Sequence, residues 1–225
     1  MNILAIETAT PACAIGLRTS DGFELGWVLD EDRHHTEVLS VGIARVLAET
    51  NLRARDLDRV VVDRGPGLFT GLRVGLATAL GLSEGTGCSL VAVSSLELLA
   101  HGAHLGGTRG TLVCCVDGRR GEVFLQNFRL DDDVTALTAA SVATPRSVVI
   151  EWATNGAPVI FTGDGVERYL RDFAAVPNAT VEHQVVPSVA AALLLGATRD
   201  TVAQVDPMYL READAVANFT TRQRS

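Results

Sequence analysis

Two short stretches carry residues suited to nucleotide chemistry. Glu7 closes the apolar run Asn2 to Glu7 and is followed by Thr8, Thr10 and a turn ending at Pro11. A carboxylate at the carboxyl edge of a strand can hold a magnesium-bound water beside a phosphate, and it can equally be a solvated strand end. Gly163-Asp164-Gly165 follows the apolar run Val159 to Thr162. It could bring backbone close to a ligand, or simply turn a strand into a helix with an Asp cap. A self-sufficient ATPase or phosphotransferase would gather Glu7, Thr8, Gly163, Asp164 and Gly165 around Mg-ATP.

Other chemistry lacks its parts. His101 and His104 stand three apart with no intervening Glu, whereas the zinc peptidase motif needs two histidines four apart and a Glu base between them. They can share a helix face, which makes at most a weak metal contact, and His34-His35 fits a solvated helix start. Cys13, Cys88, Cys114 and Cys115 include no Cys-x-x-Cys pair, so small buried thiols in a reducing compartment are expected and no metal site is. No Gly-x-Ser-x-Gly elbow is present. Without a set of nucleophile, base and orienting group, the chain reads as a protein that works through surfaces.

The elements that must position these groups centre on Val60 to Leu82. Val60, Val61 and Val62 predict a buried strand, Gly65-Pro66-Gly67 a tight turn, and Gly71 to Leu82 a helix whose only charged side chain is Arg73. Such a helix has no broad polar face and must be covered on nearly all sides. Gly71, Gly75 and Ala79 recur every four residues and share a face, with Leu72, Leu76 and Leu80 beside them. The groove they open receives either the chain's own core or a helix from another chain. The glycine-rich turn also resembles a phosphate cradle, but the P-loop pattern ends in Gly-Lys-Ser/Thr and this sequence has no lysine. A second helix is predicted over Thr36 to Thr50, with Leu39, Ile43, Val46 and Leu47 on one face and Val38 and Val41 widening it.

A chain of 225 residues, 47% of them hydrophobic, allows one large domain or two lobes. The opening Met-Asn-Ile-Leu-Ala-Ile-Glu lacks the basic start of a signal peptide, and no long apolar run suggests a membrane span. The net charge of -8 opposes non-specific attraction to a polyanion. If RNA is involved, another protein supplies most of the grip, with Arg119, Arg120, Arg211, Arg222 and Arg224 as candidate direct contacts.

Strands over Asn2 to Glu7, Ala12 to Arg18 and Phe23 to Leu29 form a meander, and strand–helix alternation follows through a helix at Leu96 to His104. That order suits a ribonuclease-H-like lobe over 1–105. A glycine-rich connection leads to a smaller α/β lobe over 106–211. It contains a hairpin from Thr111 to Asp117 and Glu122 to Leu130, helices at Pro145 to Thr154, Gly165 to Phe173 and Ser188 to Ala197, and then a polar tail over 212–225.

Arg64-Gly-Pro-Gly-Leu-Phe-Thr-Gly-Leu-Arg-Val-Gly75 resembles the signature of the TsaB (YeaZ) family. Ile3-Leu-Ala-Ile-Glu-Thr-Ala-Thr10, Val93-Ser-Ser-Leu-Glu97, Val116-Asp-Gly-Arg-Arg-Gly-Glu-Val-Phe124 and Pro207-Met-Tyr-Leu-Arg211 are similar to further family blocks. Glu7 replaces the usual Asp, and Leu68 the usual Ser, which lessens the case for a phosphate-contacting hydroxyl there. The resemblance implies an actin-like, Hsp70-like α/β fold of two lobes with ribonuclease-H-like mixed sheets flanked by helices, in a cytoplasmic protein. It implies a non-catalytic subunit that activates its paralogue TsaD in transfer of threonylcarbamoyl to N6 of adenosine 37 of tRNAs reading ANN codons. The ATPase TsaE joins that assembly, tRNA is met through the complex, and the metal is expected on TsaD. ATP and Mg could sit at the complex interface, and the chain alone could form a homodimer. The family's dimer surface uses the first two helices, here Thr36 to Thr50 and Thr70 to Glu84. The partner-contact candidates are therefore Leu39, Ile43, Val46, Leu47, Gly71, Leu72, Gly75, Leu76 and Ala79.

Overall fold

Two mixed sheets with the same strand order make up the molecule. The computed structural model describes residues 1–29 and 34–211. Part of the expected connector before the first helix, the polar tail, and Arg222 and Arg224 lie outside the described residues. The first sheet contains β1 (Ile3–Glu7), β2 (Cys13–Arg18), β3 (Glu24–Leu29), β4 (Arg59–Asp63) and β5 (Ser89–Val93), in the order β3-β2-β1-β4-β5. β1, β2 and β3 pair antiparallel, while β4 and β5 run parallel to β1. Parallel neighbours need crossovers, supplied by α1 (His35–Glu49) and α2 (Phe69–Thr86).

The second sheet repeats this plan with β6 (Gly110–Arg119), β7 (Glu122–Leu130), β8 (Val134–Ala136), β10 (Val159–Thr162) and β11 (Ala179–Glu182), in the order β11-β10-β6-β7-β8. β9 (Ser141–Ala143) pairs with β7 off this path. The central β6 lies antiparallel to β7 and parallel to β10, as β1 does to β2 and β4. A duplicated lobe of this order is the two-lobed architecture expected of an actin-like fold.

Burial patterns follow from the layers. α1 and α2 cover one face of the first sheet through a core that includes Leu4, Ile6, Leu39, Ile43, Val62 and Leu76. In the second lobe α4 (Pro145–Asn155), α5 (Asp164–Arg168) and α6 (Leu170–Phe173) play that part, around Trp152, Phe161 and Phe173. The helix expected over Gly165 to Phe173 is thus two pieces, broken where Tyr169 leaves helical geometry at φ -116°, ψ 32°.

The remaining faces exchange helices across the 105/106 boundary. α3 (Ser95–Leu105), expected in the first lobe, lays Leu96, Leu99 and Ala103 against Leu112, Phe124 and Phe128 of the second sheet. α7 (Val189–Thr198), expected in the second, packs Ala191, Ala192 and Leu195 on Ile3, Val61 and Val91 of the first. Gly196 lets it lie close enough that a Cβ would overlap Val61. α3 also places Leu98 in the cluster that α7 forms on the first sheet, so the two helices lie together between the sheets. α7 is apolar nearly all round, and such a helix can serve either sheet.

Candidate functional site

Every residue named as a partner contact from the sequence faces inward. Leu39, Ile43, Val46 and Leu47 on α1, and Gly71, Leu72, Gly75, Leu76 and Ala79 on α2, are buried within the chain. The glycine groove is filled by the turn after β1. A Cβ at Gly71 would overlap the Thr8 carbonyl oxygen, and one at Gly75 would overlap Thr8 Oγ1. The chain's own core is therefore the occupant of that groove.

The opposite face of α2 is open. Phe69, Arg73, Ala77, Gly81 and Gly85, again four apart, are all exposed, and a Cβ at Gly81 or Gly85 would meet nothing within 4 Å. α1 adds Ser40, Val41, Ala44 and Ala48, with Val41 65% exposed. The sequence contained a signal for this face: Arg73 is the only charge between Gly71 and Leu82, and it points to the side that water reaches.

The nucleotide candidates come together from both lobes, but their groups are already used. Glu7 is fully buried, and its Oε1 accepts from the backbone N–H of Ala9 at 2.8 Å and of Thr10 at 3.2 Å. Next to it Asp63, at the end of β4, accepts from the Gly65 N–H and from Ser95 Oγ, while its buried Oδ2 finds no hydrogen-bond partner among the described residues.

Burial pushes Glu7 well above the ordinary carboxylate range, aided by the field of Asp63 and opposed by the two amides. Burial likewise raises Asp63 to about 7. Across the cleft, Asp164 accepts from the Asp117 N–H at 2.9 Å and is raised by burial to about 6. Its charge also acts on Glu7. A cleft of about 300 Å3 opens beside Asp164, lined by Thr10, Pro11 and Ala12 of the first lobe and by Asp164, Glu167, Arg168, Val185 and Val186 of the second.

Gly163 and Gly165 serve packing. Gly163 has φ +108° and would overlap the Cys115 carbonyl oxygen if it carried a Cβ, and Gly165 lies 3.0 Å from that same oxygen on the same test. They seat α5 on β6. The cleft thus sets Asp164, Glu167 and Arg168 beside apolar Val185 and Val186, while the Ala9 and Thr10 amides of the turn are taken by Glu7. Among the described residues no group of three or more His, Cys, Asp or Glu is placed to hold a metal. Arg119, at φ +60° in the β6–β7 turn, pairs with Asp117 at 3.1 Å, and Arg211 reaches Glu122 at 2.8 Å.

The family model described as "TsaD: tRNA N6-adenosine threonylcarbamoyltransferase" matches residues 30–215. The protein named tRNA threonylcarbamoyladenosine biosynthesis protein TsaB of Escherichia coli is 33% identical over 138 residues, covering 59% of this chain and 57% of that protein. The Bacillus subtilis protein of the same name is 26% identical over the full length of both. The chain belongs to the TsaB (YeaZ) family. An uncharacterised protein of Mycobacterium tuberculosis is 33% identical over 95% of this chain and 93% of its own length. The solved structure "YeaZ from Pseudomonas aeruginosa" superposes with a TM-score of 0.80 at 25% identity, over 93% of this TsaB-family chain and 99% of that one. Among the described residues no helix is long and apolar enough to cross a membrane.

Proposed function

We propose that this chain is the TsaB-type subunit of the cytoplasmic machinery that makes threonylcarbamoyladenosine at position 37 of tRNAs reading ANN codons. In this reading it is a non-catalytic scaffold that binds TsaD and holds it in its active arrangement. TsaE joins the assembly, tRNA is met through the complex, and the metal and any ATP-Mg belong to TsaD or to the interface. The observation that carries the reading is the open face of α2, where Ala77, Gly81 and Gly85 leave room for the backbone of a partner helix. The docking surface therefore uses the helices named from the sequence, but on their outer sides.

The test is the solution mass, by light scattering after size exclusion, of the chain alone and mixed with TsaD, for the wild type and Gly81→Leu. The expected result is a heterodimer with the wild type that is lost with a folded Gly81→Leu. The mass of the chain alone reports whether it is a homodimer before its partner arrives. Failure to form any complex across salt and nucleotide conditions overturns the scaffold. ATP turnover by the isolated chain that Glu7→Gln abolishes would replace it with an actin-like ATPase.

A further inference from the structure

The chain after α7 crosses from one lobe to the other. Val202 donates its N–H to the Leu90 carbonyl on the edge of the first sheet, Val205 is buried in the core under α2, and Met208 donates its N–H to the Arg64 carbonyl at 2.7 Å. Two residues later the chain is held by the second lobe. Leu210 packs on the cluster of α3, β6 and β7, and Arg211 donates to Glu122 at 2.8 Å and to the Gly118 carbonyl at 3.2 Å.

Tyr209, between these two anchorages, turns outward. The residue is 44% exposed and its ring stacks on that of Phe69, itself 43% exposed, with centroids 5.4 Å apart at 30°. Arg73 lies over the Phe69 ring at 3.8 Å, with Nε 3.4 Å from the Tyr209 hydroxyl, and makes no ion pair among the described residues. Phe69 and Arg73 begin the exposed α2 face, so a residue of the strap stands at the head of the surface that α2 offers.

We propose that the strap over 207–211 is part of the partner-binding surface, with Tyr209 a contact residue and Arg211 a positioning residue that holds Tyr209 in place from the second lobe. This rests on the scaffold reading above. The occupant is the TsaD chain, presenting a flat apolar group to Tyr209 and a carboxylate to Arg73. Half-exposed aromatics beside a guanidinium that makes no ion pair among the described residues have the make-up of an interface hot spot. In a chain of net charge -8, Arg73 is also a local positive point that draws an acidic side chain. Docking on α2 thereby depends on how the second lobe holds the strap.

The experiment titrates TsaD with the wild type and with Gly81→Leu, Tyr209→Ala, Arg211→Ala, Glu122→Ala and the double variant Tyr209→Ala/Arg211→Ala. Each variant's melting midpoint is measured alongside. Tyr209→Ala is expected to weaken binding about tenfold. Arg211→Ala and Glu122→Ala should weaken it less and speed hydrogen exchange over 207–211. Arg211→Ala should have no further effect once Tyr209 is Ala, because a positioning residue acts only through the group it positions.

Gly81→Leu separates the two proposals. If it weakens binding while Tyr209→Ala stays within about twofold of wild type, the strap inference falls and the scaffold stands. If the wild type does not bind TsaD, both fall. Additive losses for Tyr209 and Arg211 overturn the positioning role. A short single-stranded RNA that binds the chain and is lost with Tyr209→Ala, at unchanged TsaD affinity, would overturn the inference in favour of base stacking.

Discussion

α2 carries two stripes of the same chemistry and spacing: Gly71, Gly75 and Ala79 on one side, Ala77, Gly81 and Gly85 on the other. Their surroundings are opposite. On the inner stripe an added methyl group runs into Thr8, and on the outer glycines it meets open space. Small residues at helical spacing mark where a backbone can come close without saying whose backbone it is. On the inner side the approach is used by the turn after β1, which Glu7 holds in shape through the Ala9 and Thr10 amides. Among the described residues the outer side has no such occupant.

The largest effect expected from this contrast is at Gly71. Gly71→Ala places a Cβ on the Thr8 carbonyl oxygen, which is backbone and cannot rotate away. Overpacking of this kind costs about 3 kcal/mol. The helical gain of Ala over Gly returns about 1 kcal/mol. A net loss of about 2 kcal/mol should appear as a lower urea midpoint, and an unchanged midpoint would mean the turn yields and the inner stripe is not closed.

Much of this was legible in the sequence. The valine run, the Gly-Pro-Gly turn, the breadth of α2 and the meander predicted the first sheet to within a residue or two, because short apolar runs cut off by abrupt turn residues are strong local signals. The hairpin into the second lobe was equally plain. The short strands β8, β9 and β11 were not: unlike the equally short β10, an apolar Val-Ile-Phe run, they bury no residue fully and so carry no apolar run. The exchange of α3 and α7 was also hidden: Ala/Leu-rich helices state that they are buried but not against which sheet. The site was half legible. The pattern identifies both helices, but the stripe it selects is the buried one, and the exposed side of α2 is marked in the sequence by Arg73 alone. Tyr209 was visible only as part of a family block, because its stacking on Phe69 joins residues far apart in the chain.

The dry setting behind the inner stripe makes a second, smaller effect. Asp63 titrates at about 7 in the folded chain, because burial disfavours its charge. In the unfolded chain it returns to an ordinary carboxylate value. The folded state then binds more protons than the unfolded one between those values, so this contribution to stability is fully present at low pH and is lost as pH rises through about 7. A single site contributes a slope of at most about 1.4 kcal/mol per pH unit. Urea midpoints of the wild type and Asp63→Asn, compared from about pH 5 to about pH 8, should diverge in favour of the variant as pH rises. Glu7 and Asp164, shifted in the same direction, leave a remaining slope in the variant. Parallel curves would show that Asp63 is not held in a dry pocket.

The smallest effect has the opposite sign and tests the outer stripe directly. Gly81→Ala adds a methyl group where nothing lies within 4 Å, so only the helix propensity changes. The expected gain is about 1 kcal/mol, or about 2–4 °C in melting temperature for a chain of this size. The same substitution that harms α2 at Gly71 should therefore help it at Gly81. If Gly81→Ala stabilises the isolated chain and also weakens TsaD binding, the glycine is kept at a cost to the monomer because a partner backbone needs its space. If it stabilises the chain and leaves binding unchanged, the partner does not approach closely at Gly81, and the docking surface must lie nearer Phe69 and Tyr209 at the other end of the helix.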